Sequence, residues 1–141
     1  MAEGHRATAM KDLPRLSAEA FAASDKMPLR FVLDQIRSAQ NVGSVFRTAD
    51  AFRLEGLDLC GYTPRPPHRD ILKTALGATE HMAWQGHEHT VEAIQGLQSK
   101  GYKVLALEQA SGSTALEDWA PTSEGQWAVV LGNEVRGCSA E

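Results

Sequence analysis

The stretch that decides the fold is LRFVLDQIRSAQNVGSVFRTADAF, residues 29–52. It opens with LRFVLD, which is typical of a strand, and from Asn41 its apolar residues recur at helical spacing. One side of this helix is apolar and carries Val42, Val45, Phe46, Ala49 and Phe52. The other side carries Ser44, Arg47 and Thr48, with Asn41 near the helix start. One face is therefore predicted to pack and the other to meet a ligand.

Strand-like and helical patterns alternate along the rest of the chain. The predicted strands are LEGLDLCGY, HMAWQGHE, a buried YKVLALEQ and WAVVLGNE, and the predicted helices are ILKTALGA and VEAIQGLQSK, with a helical or irregular piece at ALEDWAP. Ser17 is predicted to cap a short first helix, and Thr90 to cap VEAIQGLQSK. The alternation predicts an α/β domain with a mostly parallel sheet and helices on both faces. We expect residues 1–27 to form an arm and a short helix, and residues 28–141 to form the domain.

Composition indicates one compact domain, because the chain has 141 residues of which 43% are hydrophobic. Cys60 and Cys138 lie far apart and no leader pattern precedes the domain, which predicts a reduced, cytoplasmic protein. The apolar runs are too short to span a bilayer, so no membrane role is expected. A net charge of -4 argues against nucleic-acid binding through overall charge, yet residues 30–73 are locally basic. That segment fits either a patch facing a polyanion or a solvated face of mixed charge.

Ligands of parallel sheets bind outside the carboxyl ends of the strands. The loops predicted there are DQIRSAQN, CGYTPRPP, EQASGS and GNEVRGCS, and none is a GxGxxG fingerprint of dinucleotide-binding enzymes. The ending VVLGNEVRGCSAE reads as a strand, a glycine turn and a helix start at Ser139. We therefore expect a further segment, or another chain, to complete the fold.

Four blocks, in order, resemble one enzyme family. LDQIRSAQNVGSVFRTADAF, LCGYTPRPP, KTALGATE and VVLGNEVRG resemble the SpoU-TrmH family of RNA ribose 2'-O-methyltransferases, in the SPOUT superfamily. The first block is similar to the family's first motif and the last to its second, and the resemblance runs from about Leu33 onward. The third motif, a proline-containing strand and a Ser-Leu-Asn helix, has no counterpart up to Glu141. In the family that segment forms a trefoil knot and part of the cofactor pocket, so the resemblance implies a SPOUT-type domain without its C-terminal knot segment.

The resemblance implies methyl transfer from S-adenosylmethionine to a ribose 2'-hydroxyl of tRNA or rRNA, by a homodimer. Arg47 resembles the catalytic arginine, and its planar fork suits an RNA phosphate near the reacting ribose. Because arginine stays protonated, we assign it orientation and charge stabilisation, with the substrate phosphate or a water receiving the proton. Asn41 would hold Arg47 or the ribose. The alternatives are helix capping for Asn41 and Ser44, and an ordinary surface salt bridge for Arg47.

The remaining candidates fall into two groups. The predicted RNA contacts are Arg37, Ser44, Thr48 and Arg65, and the last lies in a proline-rich loop that could equally be a plain surface turn. The predicted cofactor-binding residues are Leu107, Glu108, Gln109, Leu131, Gly132, Asn133, Glu134 and Gly137. Glu134 has a second interpretation of equal weight, which is to hold the loop or the dimer together.

No metal is expected. His81, His87 and His89 raise the question of zinc, but His87 and His89 share one side of a predicted strand without a cysteine or carboxylate at matching spacing, and are interpreted as exposed edge residues. A second hypothesis for the whole chain is a non-catalytic RNA-binding or dimerisation module of the same fold.

Overall fold

A computed structural model describes residues 8–121 and 124–141, and five parallel strands form its central sheet. The strands are β1 (Met27–Asp34), β2 (Leu54–Cys60), β3 (Trp84–His87), β4 (Lys103–Leu107) and β5 (Trp127–Leu131). Their order across the sheet is β3-β2-β1-β5-β4, and each neighbouring pair is parallel. The predicted α/β fold class is confirmed.

Helices cover both faces of this sheet. They are α1 (Ala18–Ala23), α2 (Ala39–Ala51), α3 (Arg69–Ala75) and α4 (Thr90–Ser99), with 3-10 turns at Met10–Asp12, Ala78–Glu80 and Leu116–Asp118. Leu33 belongs to the core beneath α1, α2 and α3, and Val32 belongs to the core beneath α4. Adjacent residues face opposite sides because side chains alternate along a strand. The predicted cap of α1 is confirmed, since the Ser17 hydroxyl accepts from the Ala20 N–H.

Helices α2 and α3 approach each other closely at Gly43. A Cβ added there would overlap the Thr74 hydroxyl and the Ile71 carbonyl oxygen. The missing side chain lets α3 lie directly against α2, so one glycine sets the spacing of the helix layer on this face.

Three predictions about individual elements are wrong. Phe52 is 62% exposed, because α2 ends at Ala51 and the chain turns toward β2. Thr90 is not the cap of α4, which is His89, because the Thr90 hydroxyl donates to the buried Asp34 carboxylate at 2.6 Å. YKVLALEQ is not a buried strand, because β4 lies at the sheet edge and Leu107 is 53% exposed.

The helix start predicted at Ser139 stays a prediction, and the last described residues are held by hydrogen bonds to the end of β1. Both the N–H and the hydroxyl of Ser139 donate to Asp34, at 2.6 and 2.9 Å. The segment after β5 therefore folds back onto the end of β1. None of the helices in the described ranges is long and apolar enough to cross a membrane.

Candidate active site

The segment after β5 forms a compact loop, residues 132–138, at the carboxyl edge of the sheet. The Asn133 N–H donates to the Gly137 carbonyl at 3.0 Å, and the Gly137 N–H donates back at 2.9 Å. A Cβ on Gly132 would overlap Gly137 and the Cys138 nitrogen, so this closure requires glycine. We call this segment the 132–138 loop.

Asn133 fixes both the shape and the position of the 132–138 loop. Its Oδ1 accepts from the N–H groups of Val135 and Arg136 at 2.9 and 3.0 Å. Its Nδ2 donates to the Gln35 carbonyl and to the Tyr62 hydroxyl, both at 2.8 Å. The buried amide thus joins β5 to the segments that follow β1 and β2.

Glu134 joins the 132–138 loop to the start of α2. Its carboxylate accepts from the N–H groups of Arg37 and Ser38, at 2.9 and 3.0 Å, and from Asn41 Nδ2 at 2.9 Å. Burial by itself raises the pKa of Glu134, but the hydrogen bonds from Arg37, Ser38, its own N–H and Asn41 together lower this pKa to about 2. The carboxylate is therefore ionised at neutral pH and faces the positive end of the helix dipole. This is the geometry expected if Glu134 holds the loop.

Neither Asn41 nor Ser44 caps α2, so that alternative is wrong. The cap is Ser38, whose hydroxyl accepts from the Asn41 N–H at 3.2 Å. The Ser44 hydroxyl donates to the Gln40 carbonyl within the helix at 3.0 Å. The side-chain amide of Asn41 donates to the Glu134 carboxylate, so it does not hold Arg47 as predicted.

Arg47 is exposed on α2, between one and two helical turns beyond Asn41, and the next residue, Thr48, is also exposed. Its guanidinium has no hydrogen bond or ion pair with any residue in the described ranges. An ordinary surface salt bridge is therefore not its role within the described chain. All five donors of the guanidinium are free to bind an anion.

The two other predicted RNA-contacting arginines differ in their contacts. Arg37 is exposed, and only its backbone N–H is bound, to Glu134. Arg65 donates from Nη2 to the His87 carbonyl at 2.9 Å, and a Cβ on Gly86 would lie 2.6 Å from the guanidinium carbon. The proline-rich loop is thus attached to the end of β3 through Arg65.

His87 lies on the edge strand β3, as predicted, but it is half-buried and not exposed. Its Nε2 hydrogen-bonds the buried Asp58 carboxylate at 2.8 Å, and Asp58 also accepts from Arg30 Nε at 2.8 Å. Among residues 8–121 and 124–141, no three His, Cys, Asp or Glu side chains gather as a metal site.

A cavity of about 740 Å³ lies over the carboxyl end of β4. Three predicted cofactor-binding residues line it, namely Leu107, Glu108 and Gln109, together with Val129 and the turn that ends at Trp119. Leu131, Gly132, Asn133, Glu134 and Gly137 are not among its lining residues. The two groups are connected, because Glu108 Oε2 accepts from the Cys138 N–H at 2.8 Å. Hydrogen bonds from the N–H groups of Cys138 and Gln109 lower the pKa of Glu108.

Asp34 is a site residue that the sequence analysis did not single out. It is almost fully buried at the end of β1, where it accepts from Thr90 and from Ser139. The feature of the sequence that could have identified Asp34 is a carboxylate directly after an apolar strand. Its partner Ser139 lies 105 residues away, so the contact itself left no local pattern.

The fold and site define a parallel α/β protein whose candidate ligand site lies at the carboxyl edge of the sheet, between α2 and the ends of β4 and β5. The sequence matches the SpoU rRNA Methylase family over residues 28–141, and the chain belongs to that family.

Individual relatives of the chain are methyltransferases too. A TrmH family tRNA/rRNA methyltransferase of Staphylococcus saprophyticus is 28% identical over 83% of this chain and 46% of its own length. The tRNA (guanosine(18)-2'-O)-methyltransferase of Borreliella burgdorferi is 28% identical over 80% of this chain and 50% of its own. The fold is similar to that of the AdoMet-bound rRNA methyltransferase from Sinorhizobium meliloti, with a TM-score of 0.73 at 23% identity, over 82% of this chain and 43% of the other. The chain thus spans about half the length of these proteins.

Proposed function

We propose that this chain is part of an S-adenosylmethionine-dependent RNA methyltransferase that modifies a ribose 2'-hydroxyl of tRNA or rRNA. The observation that carries the proposal is Arg47, exposed and unpaired in the described chain, on a helix whose start is bound to the 132–138 loop through Glu134. Membership of the SpoU family and the named activity of the Borreliella relative support this choice.

The residues around the cavity fit a nucleoside-sized cofactor. Small-molecule sites are mostly apolar clefts of roughly 300–1,000 Å³ with a few polar groups, and this cavity of about 740 Å³ has Leu105, Leu107 and Val129 on its walls. Gln109 and the backbone at Leu107 and Glu108 would hold the adenosine part. When bound, S-adenosylmethionine supplies an electrophilic methyl group.

Arg47 suits the RNA side of the reaction. A ribose hydroxyl is a weak nucleophile at neutral pH, so the protein must stabilise negative charge as it develops on that oxygen. The guanidinium can bind a neighbouring phosphate at two points and donate to the hydroxyl oxygen, while the phosphate or a water takes the proton. Thr48 lies exposed on the same helix and offers a further donor, and the exposed Ser44 hydroxyl, whose proton is bound to the Gln40 carbonyl, can still accept a hydrogen bond. Asn41 acts through Glu134 and keeps the start of α2 against the 132–138 loop.

Dimerisation follows from the family resemblance and stays a prediction. The exposed apolar residues Leu107 and Leu116 near the cavity are surface that a second copy or a further segment would cover.

Methyl transfer tests the proposal directly. Purified chain is mixed with unfractionated bacterial tRNA or rRNA and tritiated S-adenosylmethionine, and the labelled nucleoside is identified by mass spectrometry after digestion. We expect Arg47→Ala to lower the transfer rate about 100-fold or more, with S-adenosylmethionine affinity by calorimetry unchanged. The matched control is Lys100→Ala, an exposed cation after α4, which should transfer at the normal rate. Saturable RNA binding without any S-adenosylmethionine binding would instead identify a non-catalytic module.

A further inference from the structure

The aromatic side chain of Tyr62 is exposed to solvent beside the candidate site. It follows β2 and is 59% exposed, whereas the next residue, Thr63, is buried. The Thr63 hydroxyl donates to the Cys60 carbonyl at 2.7 Å and accepts from the Ile36 N–H at 3.0 Å. The backbone that carries the ring is therefore well anchored, and its exposure does not come from a loose loop.

Both ends of Tyr62 are held in place. Its N–H donates to Gln35 Oε1 at 3.0 Å, and its hydroxyl accepts from Asn133 Nδ2 at 2.8 Å. Gln35 has a φ of 56°, a left-handed conformation that is strained for a residue other than glycine. Gly61 has a φ of 61°, and a Cβ there would overlap the Gln35 amide. The local backbone thus accepts strain in an arrangement that fixes the ring.

Two cationic side chains start from the same hydrogen-bonded cluster. The Arg136 N–H donates to Asn133 Oδ1 at 3.0 Å, and Asn133 holds the Tyr62 hydroxyl through its other end. Arg37 lies two residues after Gln35, and its N–H donates to Glu134. Both arginine side chains are exposed, and neither forms an ion pair in the described part of the chain.

An exposed aromatic ring beside unpaired arginines is the chemistry that binds single-stranded RNA, in which unpaired bases stack on rings and cations bind the backbone. The tryptophans do not offer this surface, since Trp84 is partly buried against the core. Trp119 and Trp127 are half-buried and pack edge to face, with ring centroids 5.4 Å apart. Tyr62 is fixed before binding, so little conformational entropy is lost when a base stacks on it.

We propose that the exposed face of Tyr62 stacks on an unpaired base of the RNA, at or next to the nucleotide whose ribose reaches Arg47. This inference rests on the proposed function, because it requires that the chain binds RNA. A base inside a duplex cannot reach the ring, so the site favours a loop, a bulge or a single strand. The ring face reads no hydrogen-bonding edge, and stacking alone therefore tolerates any base.

The test compares Tyr62→Leu, which removes the ring, with Tyr62→Phe, which keeps it and removes the hydroxyl. The probes are a fluorescein-labelled ten-nucleotide oligoribonucleotide of mixed sequence and a labelled blunt RNA duplex of equal length, followed by fluorescence anisotropy. We expect Tyr62→Leu to weaken binding of the single strand about 5- to 150-fold, the range that 1–3 kcal/mol per stacked base gives. Tyr62→Phe should stay within about threefold of the wild type, and the duplex should show no dependence on residue 62.

Leu76→Ala, at another exposed apolar residue, is the matched surface control and should bind normally. Single-strand binding by Tyr62→Leu within twofold of the wild type would overturn the inference and leave the proposed function standing. The inference is equally overturned if Tyr62→Phe binds as weakly as Tyr62→Leu, because the hydroxyl contact with Asn133 would then be the important one. A wild-type chain that binds no RNA at all would overturn the proposed function together with the inference.

Discussion

Glu134 connects two parts of the chain through a single carboxylate. Besides its own N–H, the carboxylate accepts from three donors at the start of α2, and two of these three are backbone N–H groups that no ordinary side-chain substitution removes. A carboxylate that accepts several N–H groups is favoured in its ionised form, so the folded protein binds its proton less tightly than the unfolded chain does.

The pH dependence of stability follows from that shift. The pKa of Glu134 is lowered from 4.5 to about 2, so its contribution is fully present above pH 4.5 and is lost as the pH falls from 4.5 toward 2. At pH 7 we expect Glu134→Gln to lower the free energy of unfolding by about 1 kcal/mol, because solvent screens this exposed carboxylate and weakens its hydrogen bonds. The difference from wild type should shrink below pH 4.5 in urea unfolding measured from pH 7 to pH 3.

Glu80→Gln, at an exposed position, is the control and should lower the free energy of unfolding by less than about 0.5 kcal/mol at pH 7. A Glu134→Gln difference that stays constant down to pH 3 would show that the charge of this carboxylate does not stabilise the loop.

At the scale of elements, α2 is placed by two contacts of different kinds. Its start is bound to the 132–138 loop by Glu134, and its middle lies against α3 at Gly43. Arg47 projects from the following turn, so both contacts determine where its guanidinium stands. The position of the exposed side of α2 is therefore fixed by contacts at the helix start and at Gly43, and not by contacts of the exposed side chains themselves.

Two glycine substitutions separate packing from helix propensity. Alanine is favoured over glycine in a helix by about 1 kcal/mol. Gly43→Ala should nevertheless lower the free energy of unfolding by about 1–3 kcal/mol, because the methyl group of the new alanine would overlap the backbone of α3. Gly96→Ala in α4 meets nothing within 4 Å and should raise the same free energy by about 0.5–1 kcal/mol. Thermal and urea unfolding of both variants give the comparison. A stabilised Gly43→Ala variant would contradict the close approach of α2 and α3.

At the scale of the whole molecule, Asp34 joins three segments that are distant in the chain. It ends β1 and accepts from Thr90 at the start of α4 and from Ser139 after the 132–138 loop. Because the carboxylate is almost fully buried, each of these hydrogen bonds replaces a hydrogen bond to water that the carboxylate lost on folding.

Asp34→Asn should therefore weaken the whole carboxyl edge of the sheet. One amide oxygen cannot accept all three donors, so we expect a loss of about 1–3 kcal/mol in the free energy of unfolding. Hydrogen exchange followed by mass spectrometry should show faster exchange in the 132–138 loop, and the exposed Asp25→Asn should leave it unchanged. Unaltered exchange in Asp34→Asn would mean that Glu134 and Asn133 suffice to hold the loop.

Much of the architecture could be predicted because its signals are local. Alternating strand and helix patterns report their own period, and the amphipathic α2 shows which of its sides packs, with Val42, Phe46 and Ala49 buried. The predictions failed where an element ends or where the sheet stops. Phe52 has the helical spacing of a core residue but lies past the last turn of α2, and β4 has the composition of a central strand but lies at an edge.

The sequence by itself determined the order of strands and helices, the polar face of α2 and the loops from which a site could be made, since each depends on neighbours within a few residues. Only the tertiary structure decided that Glu134 binds the helix start that bears Asn41, that Asp34 binds Ser139, and that Tyr62 stands exposed but fixed by Asn133. Those pairs lie 93, 105 and 71 residues apart, and they meet because parallel strands bring their carboxyl ends to one edge. A hydrogen bond between such distant residues depends on strand order and register, and neither leaves a periodic trace along the chain.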